Sequence, residues 1–278
     1  MKAYLLGVWA AVLPSLGHAA AYECLIEAAQ VIEIRASVEG VIANVHVQRG
    51  DVVRKGQVLV ELNSAAEILA VESARFRSQM EGQISAARNR VDYSTKKLAR
   101  ANDLLQQNFT SAQARDEAEA ERRLAESELQ SAVENRDLAK IEHRRAVEQL
   151  ALRRIASPIN GVVVDRMLNP GDLAESGSGR KPMLKVAQID PLRVDIVLPA
   201  SAFSQVKAGM KATVMAQGSS ARYSAPVKLV DKLIDAASST FVARVELPNP
   251  SHSIPGGARC TAEIEGIAAA REAPRPKL

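Results

Sequence analysis

The sequence predicts an α+β fold: a small β module interrupted by a long antiparallel α-helical hairpin, followed by a β-barrel domain. Three observations carry that expectation. Runs of alternating Val and Ile, as in Val41-Ile42-Ala43-Asn44-Val45-His46-Val47, flank a tract from 64 to 152 that contains no proline and one glycine, Gly82. After that tract the β pattern returns as an offset copy of the first. The chain of 278 residues is 47% apolar but only 3% aromatic, a balance that suits long amphipathic helix beside modest β cores and excludes intrinsic disorder.

The N-terminal segment is of a different kind. Lys2 precedes an apolar run from Tyr4 to Leu13, then Pro14 and small residues at Gly17, Ala19 and Ala21, the layout of a secretory signal peptide over residues 1–21. An uncleaved anchor is the competing reading, but Pro14, Gly17 and His18 leave less than the roughly 20 apolar residues a spanning helix needs. Ala21-Tyr22-Glu23 is unlike the small-residue box that precedes a lipidated cysteine. Export places the two cysteines, Cys24 and Cys260, in an oxidising compartment, where they either pair or stand unpaired.

The elements follow in order. Residues 22–30 read as a short strand, and residues 31–63 as one β half-module with turns at Gly40, Gly50 and Gly56. In the tract over residues 64–152, Phe76, Met80, Ile84, Ala87, Val91, Ser94, Leu98, Ala101 and Leu105 alternate in steps of four and three, the heptad seam of a coiled coil. A break at Gln107-Asn108-Phe109-Thr110 divides it, and Thr110 with Gln113 reads as a capping box opening a second helix. Two antiparallel helices of about 40 residues would each span about 60 Å. The second seam runs through Ala118, Ala125, Leu129, Ala132, Ala139, Ala146 and Leu150, interrupted by Arg136 and His143.

Residues 153–188 repeat the first β half. Gly40-Val41-Ile42 matches Gly161-Val162-Val163, and Gly50-Asp51-Val52 matches Gly171-Asp172-Leu173, at one offset of 121 residues. Gln57 to Val60 then matches Lys181 to Lys185 only after an insertion of about four residues in the soft stretch 175–179. The five glycines at 40, 50, 56, 161 and 171 are expected to supply turn conformations that other residues resist. Residues 189–267 read as a small closed barrel, and residues 268–278 as a disordered tail.

The chemistry of catalysis is missing. Histidines 18, 46, 143 and 252 have no partner at metal-ligand spacing, and no nucleophile elbow, phosphate-binding glycine loop or HExxH is present. Acids such as Glu117 and Glu121 are compensated by Arg115, Arg122 and Arg123. No cofactor or metal is expected, and the chain is not read as an enzyme. The net charge of +4 is scattered, with no basic stripe interleaved with aromatics, so nucleic acid is not an expected partner.

The split β module resembles the two halves of a lipoyl or biotinyl-carrier fold, on the residues Ser37-Val38-Glu39-Gly40-Val41-Ile42 through Leu59 and Ser157-Pro158-Ile159-Asn160-Gly161-Val162 through Asp172. Carriers place a modified lysine on the turn joining the halves; here Glu61-Leu62-Asn63-Ser64-Ala65 has none, and the hairpin takes its place. Together with Ile189-Asp190-Pro191-Leu192-Arg193-Val194 and the stretch from Asp231 to Gly257, this order is similar to the periplasmic adaptor, or membrane fusion protein, family of HlyD/RND type.

The resemblance implies an adaptor subunit that bridges an inner-membrane transporter, of RND or ABC class, to a TolC-type outer-membrane channel. It also implies a ring of copies, six in number, in the periplasm beside the inner membrane. At the hairpin tip Arg100, Leu104 and Ser111 keep the spacing R-x3-L-x6-S, which in that family marks the surface that docks on the channel. Arg offers forked donors, Leu an apolar anchor and Ser a small donor and acceptor; a hairpin-closing Leu104 and a helix-capping Ser111 are the alternative roles. Residues 22–30 correspond, on this resemblance, to a reduced membrane-proximal region, stapled to the last barrel strand if Cys24 and Cys260 pair. An exported coiled-coil scaffold and an adaptor for type I protein secretion are the alternative functions.

Overall fold

The computed structural model describes residues 19–177 and 180–268; the expected signal peptide, up to residue 18, and the tail from residue 269 lie outside the described residues. Among the described residues, twelve strands and three α-helices form a split β module, a helical hairpin and a barrel. No described helix is long and apolar enough to cross a membrane.

The first strand, β1 (Ala19–Ile34), is sixteen residues long and crosses the boundary expected at residue 30. Its first half pairs antiparallel with the last strand, β12 (Ala258–Ala268). From Cys24 to Ile34 it also pairs with β8 (Leu184–Pro199). Between β12 and β8 run β9 (Lys211–Ala216), β10 (Arg222–Val230) and β11 (Thr240–Leu247), so the six strands β1, β12, β9, β10, β11 and β8 close on themselves. The segment 22–30 is therefore a barrel stave, a correction to its reading as a short separate strand. Its sequence announces a strand but not the partner, which is supplied from residues 258 and beyond.

Alternation builds the barrel core. Leu192, Val194, Ile196 and Leu198 on β8 are all fully buried, and Val214, Ala243, Val245 and Ala262 face them from the other staves with no exposure. Phe241 fills the same interior and packs edge-on against Phe203 at 5.3 Å between ring centres. Cys24 and Cys260 are direct register partners on β1 and β12, with Cα atoms 4.8 Å apart, and are joined as a disulfide.

The split module is assembled from β2 (Gly40–Val45), β3 (Val52–Val53), β4 (Val58–Leu62), β5 (Arg154–Ala156), β6 (Gly161–Arg166) and β7 (Leu173–Ala174), with the lower halves of β1 and β8. The repeat appears as reciprocal hydrogen bonds. Gly50 N–H donates to the Val163 carbonyl at 2.8 Å and Gly171 N–H to the Ile42 carbonyl at 2.9 Å. Asp51 caps Gln48 N–H as Asp172 caps Asn169 N–H. Beyond the insertion, His46 N–H donates to Leu59 and Met167 N–H to Met183, which sets the insertion at three residues.

Two glycine roles differ from expectation. Gly50, Gly56 and Gly171 have φ of +96°, +85° and +94°, the left-handed region that glycine tolerates. Gly161 is required by close approach instead: a Cβ there would lie 2.2 Å from the Ala187 carbonyl oxygen. At Gly40 a Cβ would lie 2.6 Å from the Arg153 guanidinium.

Candidate functional site

The hairpin comprises α1 (Ala65–Ser78), α2 (Gly82–Gln106) and α3 (Ala112–Ala151), so the first arm is two helices rather than one. The break at residues 79–81 changes the phase of the seam. Before it, Val71, Ala74 and Ser78 face inward; after it, Ile84, Ala87, Val91, Ser94, Leu98, Ala101 and Leu105 do, as expected. Phe76 and Met80, expected in the seam, are 67% and 53% exposed. On the second arm Ala118, Ala125 and Ala146 are buried, and Arg136 and His143 take half-buried seam positions. Small alanines let α3 approach α1 and α2 closely.

Cross-arm ion pairs fix the register of the hairpin: Arg90 with Glu128 at 3.4 Å, Lys97 with Glu121 at 2.7 Å, and Arg136 with Glu81 at 3.5 Å. The Glu121 hydrogen bond, reinforced by its charge, raises the Lys97 pKa above its ordinary value. At the base, Arg153 donates to the Glu39 carbonyl at 2.9 Å and to Glu67 at 2.6 Å, tying both arms to the β module. Sequence reading missed Arg153, because both partners are remote in the chain.

The tip is built by α2, a five-residue turn and α3. The Asn108 backbone is left-handed, φ 60°, and Phe109 N–H returns to the Leu104 carbonyl at 2.8 Å, closing the end of α2. The N-cap of α3 is Ser111, not Thr110: its hydroxyl oxygen accepts from Ala114 N–H at 3.2 Å. The expected Thr110 to Gln113 box does not form, since Gln113 donates to Glu117 instead.

Arg100 and Leu104 are four residues apart on one face of α2, and both are exposed. Leu104, at 44% exposure, is not the hairpin-closing residue; Leu105 holds that inward place. Arg100 has no ion-pair partner among the described residues, so its guanidinium presents its donors outward. Phe109, 75% exposed at the turn, adds an apolar group that heptad reading assigned no role. The Ser111 oxygen is committed to its cap, and its hydroxyl proton remains available to donate. The tip thus offers cationic, apolar and hydroxyl groups together.

No cluster of metal-ligating side chains is present among the described residues. A hollow of about 590 Å³ lies against the barrel beside Cys24 and Cys260; its charged lining groups are Glu23 and Arg259.

A family model for a CzcB-like barrel-sandwich hybrid domain matches residues 30–179, more than half of the chain. Among curated relatives, the efflux pump periplasmic linker BepD of Brucella suis biovar 1 is 24% identical over 260 residues, covering 88% of this chain and 62% of its own. The multidrug export protein AcrE of Escherichia coli K12 is 23% identical over 252 residues, covering 86% of this chain and 62% of its own. The chain therefore spans about three-fifths of the length of these relatives. The crystal structure of MacA from Actinobacillus actinomycetemcomitans shares the fold, with a TM-score of 0.76 and 24% identity, over 90% of this chain and 78% of that one. With its barrel-sandwich hybrid split by a helical hairpin and joined to a barrel, the chain belongs to the periplasmic adaptor, or membrane fusion protein, family.

Proposed function

We propose that the chain is an adaptor subunit of a tripartite efflux system, linking an inner-membrane transporter to a TolC-type outer-membrane channel through its hairpin tip. One observation carries the reading: an arm of 40 residues, α3, holds an exposed tip about 60 Å from the β module, and Arg100 and Leu104 share one outward face there. Two curated relatives are named as an efflux pump periplasmic linker and a multidrug export protein, and that supports efflux as the process served. In this reading Arg100 donates to carbonyls or carboxylates of the channel end, Leu104 and Phe109 supply apolar contact, and Ser111 both caps α3 and donates its proton. Copies assemble side by side as a ring, six by the family resemblance, in the periplasm. The chain's contribution is a sealed conduit rather than a reaction.

The test is in-cell photo-cross-linking from position 104, with position 88 at mid-hairpin as control. Adducts to an outer-membrane channel from 104 alone are expected. Adducts from 104 only to other copies of the chain, with export verified, overturn the channel reading in favour of an exported coiled-coil scaffold.

A further inference from the structure

The hairpin joins the β module through two short connections, residues 63–64 into α1 and residues 152–153 out of α3. Two points of attachment define an axis and leave rotation about it free; a third contact, off that axis, gives the hairpin one direction. Arg153 supplies such a contact. Its backbone belongs to the exit connection, where its carbonyl accepts from Leu62 N–H at 2.9 Å and its N–H donates to the Leu150 carbonyl at 3.0 Å. With the backbone held on both sides, the side chain reaches across the base. One guanidinium nitrogen donates to the Glu39 carbonyl at 2.9 Å and another to the Glu67 carboxylate at 2.6 Å. Glu39 directly precedes β2, and Glu67 lies in the first turn of α1. The Arg153 and Glu67 side chains are 22% and 21% exposed, so solvent screens this pair less than the open pairs higher along the arms.

Gly40 is the socket for this side chain. A Cβ there would stand 2.6 Å from a guanidinium nitrogen and 3.4 Å from Leu62. The internal repeat isolates the reason. Gly161, the equivalent of Gly40 at the offset of 121 residues, meets the Ala187 carbonyl oxygen instead, and the equivalent of Arg153 is Ile32. Only the half-module that faces the hairpin base thus makes room for a guanidinium. Among the described residues, no other side-chain hydrogen bond or ion pair reaches from the β module to a helix of the hairpin; Asn63, whose side-chain oxygen accepts from Ala65 N–H, acts within the entry connection.

Direction matters in proportion to length. The tip stands about 60 Å from the base along α3, so a turn of about 10° at the base moves the tip by about 10 Å. We infer that Arg153 is the positioning residue of the hairpin: seated in the space left by Gly40, it ties Glu39 to Glu67 and holds the tip in one direction from the β module. A guanidinium suits the task because its planar fork holds two acceptors at a fixed angle, which an ammonium on a flexible stem does not. The consequence for docking rests on the channel reading above; the direction itself does not.

The experiment uses the purified full chain carrying R49C, in a turn of the β module, and R88C, at mid-hairpin, each bearing a nitroxide label. Both positions are exposed, and Cys24 and Cys260 are held in their disulfide. Labelled chain is diluted in unlabelled chain, and double electron–electron resonance then reads the distribution of distances within one copy. One narrow distribution is expected for the parent. Adding R153A is expected to widen it roughly twofold, and R153K to widen it as well, with helicity by circular dichroism unchanged. G40A, which keeps the arginine and takes its space, is expected to act in the same way. Parental width in R153A overturns the inference, because a residue that contributes stability alone leaves the direction intact. E67A alters one side chain on α1 and keeps the test readable if R153A does not fold: widening is expected, and parental width again overturns the inference. Photo-cross-linking from position 104 then separates direction from docking. Channel adducts are expected to fall roughly fivefold in R153A. Widening without that fall overturns the role of Arg153 in docking, and the absence of channel adducts in the parent overturns the channel reading while the distances still decide the direction.

Discussion

The barrel and the hairpin bury their side chains by opposite rules. In the barrel each stave alternates, and its inward residues, such as Val194, Ile196 and Val245, are sealed completely within one chain. In the hairpin the buried residues are few and mostly small, Ala74, Ser94, Ala118, Ala125 and Ala146 with Ile84, while Phe76, Tyr93, Leu124, Leu138 and Phe109 remain outside. The barrel is complete by itself; the hairpin leaves large apolar side chains uncovered within one chain. A closed sheet has no edge to satisfy, whereas a two-helix arm has two backs and a tip.

That contrast can be broken most severely in the barrel. Phe241→Ala empties a fully enclosed site, and a loss of about 3–5 kcal/mol in denaturant unfolding is expected, with the hairpin's helical signal melting in the same transition if the domains unfold together. Next in size is the seam of the barrel. Replacing both Cys24 and Cys260 by Ser removes a cross-link spanning 236 residues, and a loss of roughly 2–4 kcal/mol is expected. Reductant should lower parent stability to the variant's level and leave the variant unchanged.

Smaller effects sharpen the hairpin side. Ala125→Leu overfills a buried position on the inward face of α3, and a cost of about 1–3 kcal/mol is expected; hydrogen exchange should quicken in α2 and α3 and not in the barrel staves. Ser111→Ala deletes the cap of α3 for about 1 kcal/mol, read as faster exchange in the first turn of α3 alone.

The smallest effect is one of pH. The Lys140 hydrogen bond and charge hold Asp137 below the ordinary carboxylate pKa. Its folded value is depressed, so its contribution is present above the unfolded pKa and is lost as pH falls through the folded one. Helicity followed from pH 6 to 2 should decline slightly less in Asp137→Asn than in the parent.

The same contrast explains what could be read in the sequence. The heptad steps from Ile84 to Leu105 report contacts between neighbours along one helix, and they locate the seam residue by residue. The pattern fails at Phe76 and Met80, because the interruption at 79–81 changes phase and no proline announces it. The offset glycines mark both β half-modules, and their reciprocal bonds follow from the repeat. Closure of the barrel by residues 19–26 is not readable, since alternation along a strand identifies an inward face and never a partner. Arg153 was hidden for the same reason: its value lies in reaching Glu39 and Glu67 from the far end of the hairpin. At the tip, Arg100 and Leu104 were found through a family spacing, while the precise cap, Ser111 in place of Thr110, depends on backbone geometry that two adjacent hydroxyl residues do not distinguish.

One feature of the barrel has mechanical weight. The sulfur bridge joins β1 to β12 between residues that are also register partners. Tension that draws residues 19–23 and 261–268 apart can open the pairs outside the bridge, from Glu23–Thr261 outward, and then meets a covalent bond. Behind the bridge, the Leu25–Arg259 and Ile26–Ala258 pairs keep their register for as long as that bond holds.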